Sequence, residues 1–543
     1  MNTHYDLIIV GAGAGGGTLA RYLAPTGKRI LMLERGPWLP RELDNWSTQA
    51  VVIQRKYETK EVWKDKDGRP VNSNQHYNVG GNTKFWGAAL FRFRERDFHS
   101  HPTKDGMTQE WPLKYDVFEP YYTQVEKLFD VHGIRGEDPT APPMSEDYPF
   151  EPIEHEPRVQ EIHDDLKARG HHPFHLPVAI RRDDRNPHLS ACIRCNTCDG
   201  FPCLVHAKAD AEMNAVRPAI TYPNVTLMTE ARVLKILTNP SGRAVTGVQA
   251  QLRDGVQTFT GDVVVVSCGA INSARLLLMS TNDKHPRGLG NNSSDQVGRN
   301  YMYHLLGWML AITGKTHATS FEKTLGLNDF YWGEPDYPYP MGNIQNTGRV
   351  NAEMMKAMLG KPLAGMTFEQ MAERSTNWWF MTEDLPDPNN RITLDGDTLR
   401  ISYTENNREP FDRLLARWTE LLEGMQFVDQ VVKVSQYISN KVPVSGVAHQ
   451  CGTVRFGADP KTSVLDLNCK AHDLDNLYVV DSSFYPSSAA LNPTHTLMAN
   501  ALRVGDHLLE RMKVYRPTMD VLLQATRAPS PGSQAARRQP VSV

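Results

Sequence analysis

An apolar run that breaks directly into glycine is the strongest constraint on what this chain can fold into. Leu7-Ile8-Ile9-Val10 is followed without a spacer by Gly11-Ala12-Gly13-Ala14-Gly15-Gly16. A stretch that is apolar at every position suits a parallel strand buried on both faces. Thr18 to Leu23 has helical character and stops ahead of Pro25 and Gly27, and Arg29-Ile30-Leu31-Met32-Leu33-Glu34 reads as a second buried strand. The unit is strand, glycine turn, helix, strand. Gly11 permits the tight turn, Gly13 lets the backbone approach a pyrophosphate, and Gly16 lets helix and strand pack closely. The helix start offers free N–H groups and the positive end of its dipole to the phosphates. Glu34 follows about 20 residues on, where a carboxylate accepts hydrogen bonds from ribose hydroxyls and disfavours a 2′-phosphate. This pattern predicts FAD or NAD, does not separate them, and argues against NADP.

The rest of the chain predicts an α/β fold, a Rossmann-like dinucleotide domain with an interleaved α+β domain. Further strands are expected at Val225 to Met228, Val248 to Leu252 and Gly261 to Ser267, with a helix over Ser273 to Met279. From about Ala311 the character changes. Aromatic clusters such as Tyr331-Trp332 and Trp378-Trp379-Phe380 alternate with short strands such as Arg391 to Leu394, and helical periodicity follows in Phe411 to Met425. Residues 1–310 are therefore assigned to the dinucleotide domain and 311–447 to a substrate-binding domain. Residues 448–512 return to the first domain through the strand Leu477 to Val480 and a long helix from Thr494 to Arg511. The stretch 527–543, rich in Pro, Ser, Ala and Arg, is expected to be a disordered tail.

Three stretches narrow the cofactor. Asn78-Val79-Gly80-Gly81-Asn82-Thr83-Lys84-Phe85-Trp86-Gly87 pairs glycines, which let a backbone lie against a flat ring, with small polar side chains that can bond its carbonyls. Ala448-His449-Gln450-Cys451-Gly452 places a histidine in a second stretch. The third runs from Val479-Val480-Asp481-Ser482-Ser483 to Asn492-Pro493-Thr494-His495-Thr496-Leu497. With Asp384-Leu385-Pro386-Asp387-Pro388-Asn389-Asn390-Arg391-Ile392, these stretches resemble the glucose–methanol–choline (GMC) oxidoreductase family over most of the chain. The Asn-Pro-Thr-x-Thr ending is most similar to the pyranose oxidases within it. The resemblance implies FAD, with Gly80, Gly81, Asn82 and Trp86 at the isoalloxazine and pyrophosphate and Val233 at the adenine. Asp481, His495 and Thr496 are implied beside the flavin. Phe85 stands where some members carry a flavin-linked histidine, which implies non-covalent FAD. His449 and Asn492 are the implied catalytic pair.

An alcohol carbon gives up hydride only if its hydroxyl proton leaves too, and a neutral imidazole is matched to take that proton. The expected reaction is oxidation of a CH–OH group, with His449 as base, Asn492 on the same oxygen and hydride passing to flavin N5. Aromatic faces suit sugar rings, so a sugar or glycoside is expected ahead of a simple alcohol, with oxygen, a quinone or a protein as electron acceptor. The alternatives are a family relative without net alcohol oxidation, such as a lyase; a non-catalytic flavin and cysteine redox sensor; and a NAD-dependent dehydrogenase. Cys192, Cys195, Cys198 and Cys203 repeat Cys-x-x-Cys, a spacing that can wrap an iron–sulfur cluster or zinc. Reduced or disulfide-paired structural cysteines are the alternative, and Cys268, Cys451 and Cys469 have no metal-like spacing. A net charge of −3 over 543 residues gives no reason to expect nucleic acid. Neither a secretory leader nor an apolar run of spanning length is read, so a cytoplasmic protein without a membrane span is expected.

Overall fold

The computed structural model describes residues 4–72, 75–425, 427–435 and 448–527. Its first sheet is built on the unit that opens the chain. Strand β1 (His4–Val10) runs through the glycine turn into helix α1 (Ala14–Leu23) and on to β2 (Ile30–Leu33). Strand β2 pairs in parallel with β3 (Val225–Met228), and the edge hairpins β4 (Arg232–Thr238), β5 (Val245–Leu252) and β6 (Gly255–Val266) pair antiparallel. The order is β3-β2-β1-β6-β5-β4, with the late strand Leu477–Val479 also on β6. Strand β6 is long enough to serve two partnerships. Its first half forms a hairpin with β5, and its Val263-Val264-Val265-Val266 half lies parallel between β1 and Leu477–Val479. These four valines are buried, as an apolar run flanked by strands on both edges requires. Helix α2 (Ala270–Met279) leaves the end of β6.

The second sheet is antiparallel throughout. Strands β7 (Leu305–Thr313), β8 (Leu325–Leu327), β9 (Asn343–Asn346), β10 (Ser375–Thr382) and β11 (Val428–Ser435) join the short strand Pro173–His175. The order is β11-β7-β10-β9-β8 and then Pro173–His175. Side chains alternate along each strand, so the sheet has two distinct faces. One packs on helix α3 (Arg408–Glu423): Trp378 lies 4.5 Å from Trp418 between ring centroids, and a Cβ at Gly307 would fall 2.5 Å from Phe411. The other face carries Leu306 and Trp308 on β7, Trp379 and Met381 on β10, and Gln345 on β9. Register confirms the row, since Trp379 stands opposite both Trp308 and Gln345.

The expected elements are present, and the boundary at 311 is corrected. Strand β7 crosses it, and the second sheet also recruits Pro173–His175 against β8, an antiparallel partner distant in the chain that is chosen by packing rather than by chain order. The return through Leu477–Val479 and helix α4 (Thr494–Met512) is as read from the sequence. Of the expected tail only Arg527 lies within the described residues, at the end of the helix Met519–Arg527. Among the described residues no helix is long and apolar enough to cross a membrane.

Candidate active site

One cavity of about 630 Å³ runs from the glycine turn to the Trp379 face of the second sheet. At its dinucleotide end, Gly11 takes φ 103°, a left-handed conformation, and a Cβ there would fall 2.2 Å from the Ser267 carbonyl oxygen. A Cβ on Gly16 would lie 2.1 Å from Gly11 O, so this glycine serves helix–strand packing as expected and does not line the cavity. Gly13 faces open space, and only its Cα lies near Gly81, at 3.5 Å from where a Cβ of Gly81 would be. The two glycine segments are tied together, since Gly80 N–H donates to Ala12 O at 2.9 Å. Gly80 itself stays behind the wall that Gly81, Asn82 and Trp86 form.

Glu34 lies at the cavity with both carboxylate oxygens already engaged: Ala12 N–H and Gly36 N–H each donate to one at 2.9 Å. Burial pushes its pKa up, against the pull of those N–H groups. A carboxylate oxygen has lone pairs to spare, so a ribose hydroxyl can share them. Val233 lines the same end. Asp481 closes the floor, accepting from Gly269 N–H, Ser273 Oγ and both Ser483 donors, and burial raises its pKa as well. Buried atoms with no partner among the described residues, Trp86 Nε1, Asn78 Oδ1 and Asn272 Oδ1, belong to residues that line the cavity. Orphaned polar atoms on a glycine-opened floor are what a bound flavin dinucleotide would satisfy, and the residues present fit one.

At the other end, His449 and Asn492 line the cavity together. His449 Nδ1 lies 3.0 Å from His304 Nδ1, and His304 Nε2 lies 3.1 Å from the Ser488 carbonyl. A carbonyl only accepts, so the His304 hydrogen sits on Nε2 and its Nδ1 is an acceptor. His449 therefore donates from Nδ1, which leaves its Nε2 with a lone pair and no hydrogen bond to a described residue. Burial, then His304 and Lys323, drives the His449 pKa well below the usual 6.5, and burial takes His304 to about 4. Both rings are neutral at neutral pH. Asn492 Oδ1 accepts from Gln345 Nε2 at 2.9 Å, which turns its Nδ2 away from Gln345.

The loop that carries the four cysteines forms part of the wall. Lys208 Nζ holds it by donating to the carbonyls of Trp86, Cys198 and Phe201. Asp199 then reaches in, accepting from Lys323 Nζ at 2.8 Å, Thr347 Oγ1 at 2.9 Å and Gly348 N–H at 2.8 Å. Burial alone would raise the Asp199 pKa, but Lys323 and these donors hold it below the usual carboxylate range. A Cβ on Gly87 would fall 1.7 Å from Asp199, so only glycine fits under this pair. The metal expectation finds no support here. Cys192, Cys195, Cys198 and Cys203 are free thiols, and among the described residues no group of three or more His, Cys, Asp or Glu side chains is arranged to hold an ion. The segment is an irregular loop whose polar anchors are backbone carbonyls on Lys208, and repeated spacing in sequence imposes no convergence on such a loop.

His495 and Thr496 are also misplaced by the sequence. The His495 ring is fully buried between the carbonyls of Leu90 and Tyr122, and Thr496 Oγ1 pairs with Tyr122 Oη at 2.7 Å. Thr494 and Leu497, three residues apart and hence on one side of helix α4, face the cavity instead. His304, Gln345, Lys323, Asp199 and His76 carry no local motif. His76 lines the cavity and stacks on Phe85 at 3.7 Å. The one available sign was Asn343-Ile344-Gln345-Asn346, an amide-rich strand in an apolar neighbourhood.

Comparison with known proteins agrees with this arrangement. The GMC oxidoreductase model matches residues 5–306, and its C-terminal counterpart matches 386–501. Paromamine 6′-oxidase of Streptomyces fradiae is 29% identical over 92% of this chain and 90% of its own length. The fructose dehydrogenase large subunit of Gluconobacter japonicus is 25% identical over 94% of this chain and 98% of its own length. Pyridoxine 4-oxidase from Mesorbium loti superposes with a TM-score of 0.63 at 19% identity, covering 93% of this chain and 99% of that structure. With a glycine-turn cavity, His449 and Asn492 among the residues that line it, and family models matching at both ends, the chain belongs to the GMC oxidoreductases, FAD-dependent enzymes acting on CH–OH groups.

Proposed function

We propose that the chain oxidises a ring or side-chain CH–OH group of a sugar, glycoside or related alcohol to a carbonyl, with non-covalently held FAD and His449 as base. The observation that carries this reading is the His304–His449 pair, which leaves an unprotonated Nε2 on a residue that lines the same cavity as Asn492. His449 Nε2 takes the hydroxyl proton while Asn492 Nδ2 donates to the same oxygen and fixes its position. FAD, when bound, supplies the hydride acceptor. Gly11, Gly13 and Gly81 would hold its pyrophosphate, Glu34 its ribose, Val233 its adenine edge and Trp86 its ring system. Apolar cover from Trp308, Trp379 and Met381 keeps water from the reacting carbon. The aromatic face suits a sugar ring, and relatives named for paromamine and fructose support that class.

His449→Ala is expected to lower kcat by at least about a hundredfold while FAD stays bound. Anaerobic bleaching of the flavin bands by added sugars measures this. Retained turnover at full flavin loading would reject His449 as the base. Readmitting oxygen to the bleached wild type shows whether oxygen or another carrier, a quinone or a protein, accepts the electrons.

A further inference from the structure

Gln345 is 1% exposed, on the cavity face of β9 opposite Trp379. Both hydrogens of its Nε2 are used: one goes to Asn343 Oδ1 at 2.7 Å, the other to Asn492 Oδ1 at 2.9 Å. Its Oε1 is buried with no partner among the described residues. An amide can be turned end for end without changing shape, so this orphan means something only if the orientation is fixed. It is fixed from a distance. Asp138, a carboxylate paired with Arg94, can only accept, and Asn328 Nδ2 donates to it at 2.8 Å. Asn328 must then offer Oδ1 to Asn343 Nδ2, at 2.8 Å, and Asn343 must offer Oδ1 to Gln345 Nε2. Reversing any one amide sets acceptor against acceptor or donor against donor along the chain. The polarity set at Asp138 is therefore delivered to Gln345, a residue on the cavity wall, as a buried acceptor, Oε1, and leaves Asn492, bonded through its Oδ1, with Nδ2 as its donor.

A buried unpaired acceptor is costly to leave unmet, and this one belongs to a residue that lines the cavity. We propose that Gln345 Oε1 is a substrate subsite that accepts a hydrogen bond from a second hydroxyl or an ammonium group adjacent to the hydroxyl being oxidised. The inference rests on the assignment of Asn492 to the reacting oxygen. An adjacent donor–acceptor pair matches groups on neighbouring carbons, so vicinal diols, sugar rings and amino sugars fit it, and a simple alcohol leaves Oε1 orphaned. Sites built to bond a substrate hydroxyl reject analogues that lack it far more strongly than apolar pockets reject a missing methylene.

The test uses FAD-loaded full-length protein and anaerobic flavin reduction. The probes are propane-1,2-diol against propan-1-ol and propan-2-ol, and D-glucose against its 2-deoxy and 3-deoxy analogues. Wild type is expected to favour the probe with the neighbouring hydroxyl by at least about a hundredfold in kcat/KM. Gln345→Met, which removes the acceptor, is expected to shrink that preference to within about tenfold. Gln345→Glu, which in its protonated form keeps an oxygen at the place of Oε1 and one donor toward Asn492 Oδ1, is expected to retain more of it than Gln345→Met does. Flavin content and melting temperature check that each variant is folded, and the Glu variant answers the question if the Met variant is not. Wild type that oxidises the mono-alcohols as well as the diol overturns the subsite while leaving the reaction class intact. Unchanged preference in folded Gln345→Met overturns it too. Bound flavin that no alcohol or sugar bleaches overturns the parent reading instead.

Discussion

Two imidazoles 3.0 Å apart can hold one hydrogen between their facing nitrogens, and here a third group decides whose it is. The Ser488 carbonyl claims the His304 Nε2–H, so the shared hydrogen belongs to His449. The direction of the pKa shifts makes this measurable. Burial disfavours the cation, so protonation of His449, which would disable it as the proposed base, lies below 6.5. The expected pH profile of kcat/KM is flat from pH 7 down through 6.5 and falls only below that; an acid limb centred at or above 6.5 would contradict a buried neutral base. His304→Leu is expected to lower kcat by on the order of tenfold or more, because His449 Nδ1–H loses its acceptor. Phe85 carries a separate expectation. Acid precipitation should release the flavin into the supernatant. Flavin that stays with the pellet in wild type but is released in His76→Ala would instead place a covalent link at the ring stacked on Phe85.

At the scale of elements, β10 shows how one strand serves stability and function through neighbouring residues. Trp378 is fully buried against Trp418, whereas Trp379 points to the cavity. Trp378→Ala is expected to cost about 3–5 kcal/mol of stability in a denaturant titration. Trp379→Ala is expected to leave the unfolding midpoint much nearer wild type and to raise KM for a sugar. The same alternation explains what could be read from the chain beforehand. The first strand, the glycine turn and helix α1 follow from local rules, since a buried parallel strand and a phosphate-facing helix start are written in consecutive residues. The pairing of His449 with Asn492 was proposed from a family pattern, and the structure places both on one cavity. The Gln345 amide chain was not, because it depends on the register of β9 against β10 and on Asp138, a residue brought in by tertiary packing. His495 was misread for a geometric reason: one residue along a helix is a rotation of about 100°, enough to turn a side chain from cavity to core.

For the whole molecule, the cavity is shared between both sheets and the returning C-terminal part, so a ligand that fills it ties all three together. FAD in hundredfold excess over its Kd is expected to add about 2.7 kcal/mol to the unfolding free energy. Thermal melts of flavin-free and reconstituted protein test this, and equal melting temperatures would show that FAD does not bind the folded state in preference. The strand Leu477–Val479 adds a matter of timing. It sits on the inner edge of β6, and Val480 N–H bonds Val266 O beside the very turn that begins the chain. A ribosome delivers Gly11 hundreds of residues before Asp481. Until then the nascent sheet presents an open edge and a floorless pocket, and flavin capture has to wait until the Leu477–Asp481 segment has been made. A message truncated before Leu477 is accordingly expected to yield colourless protein that aggregates through that unpaired edge.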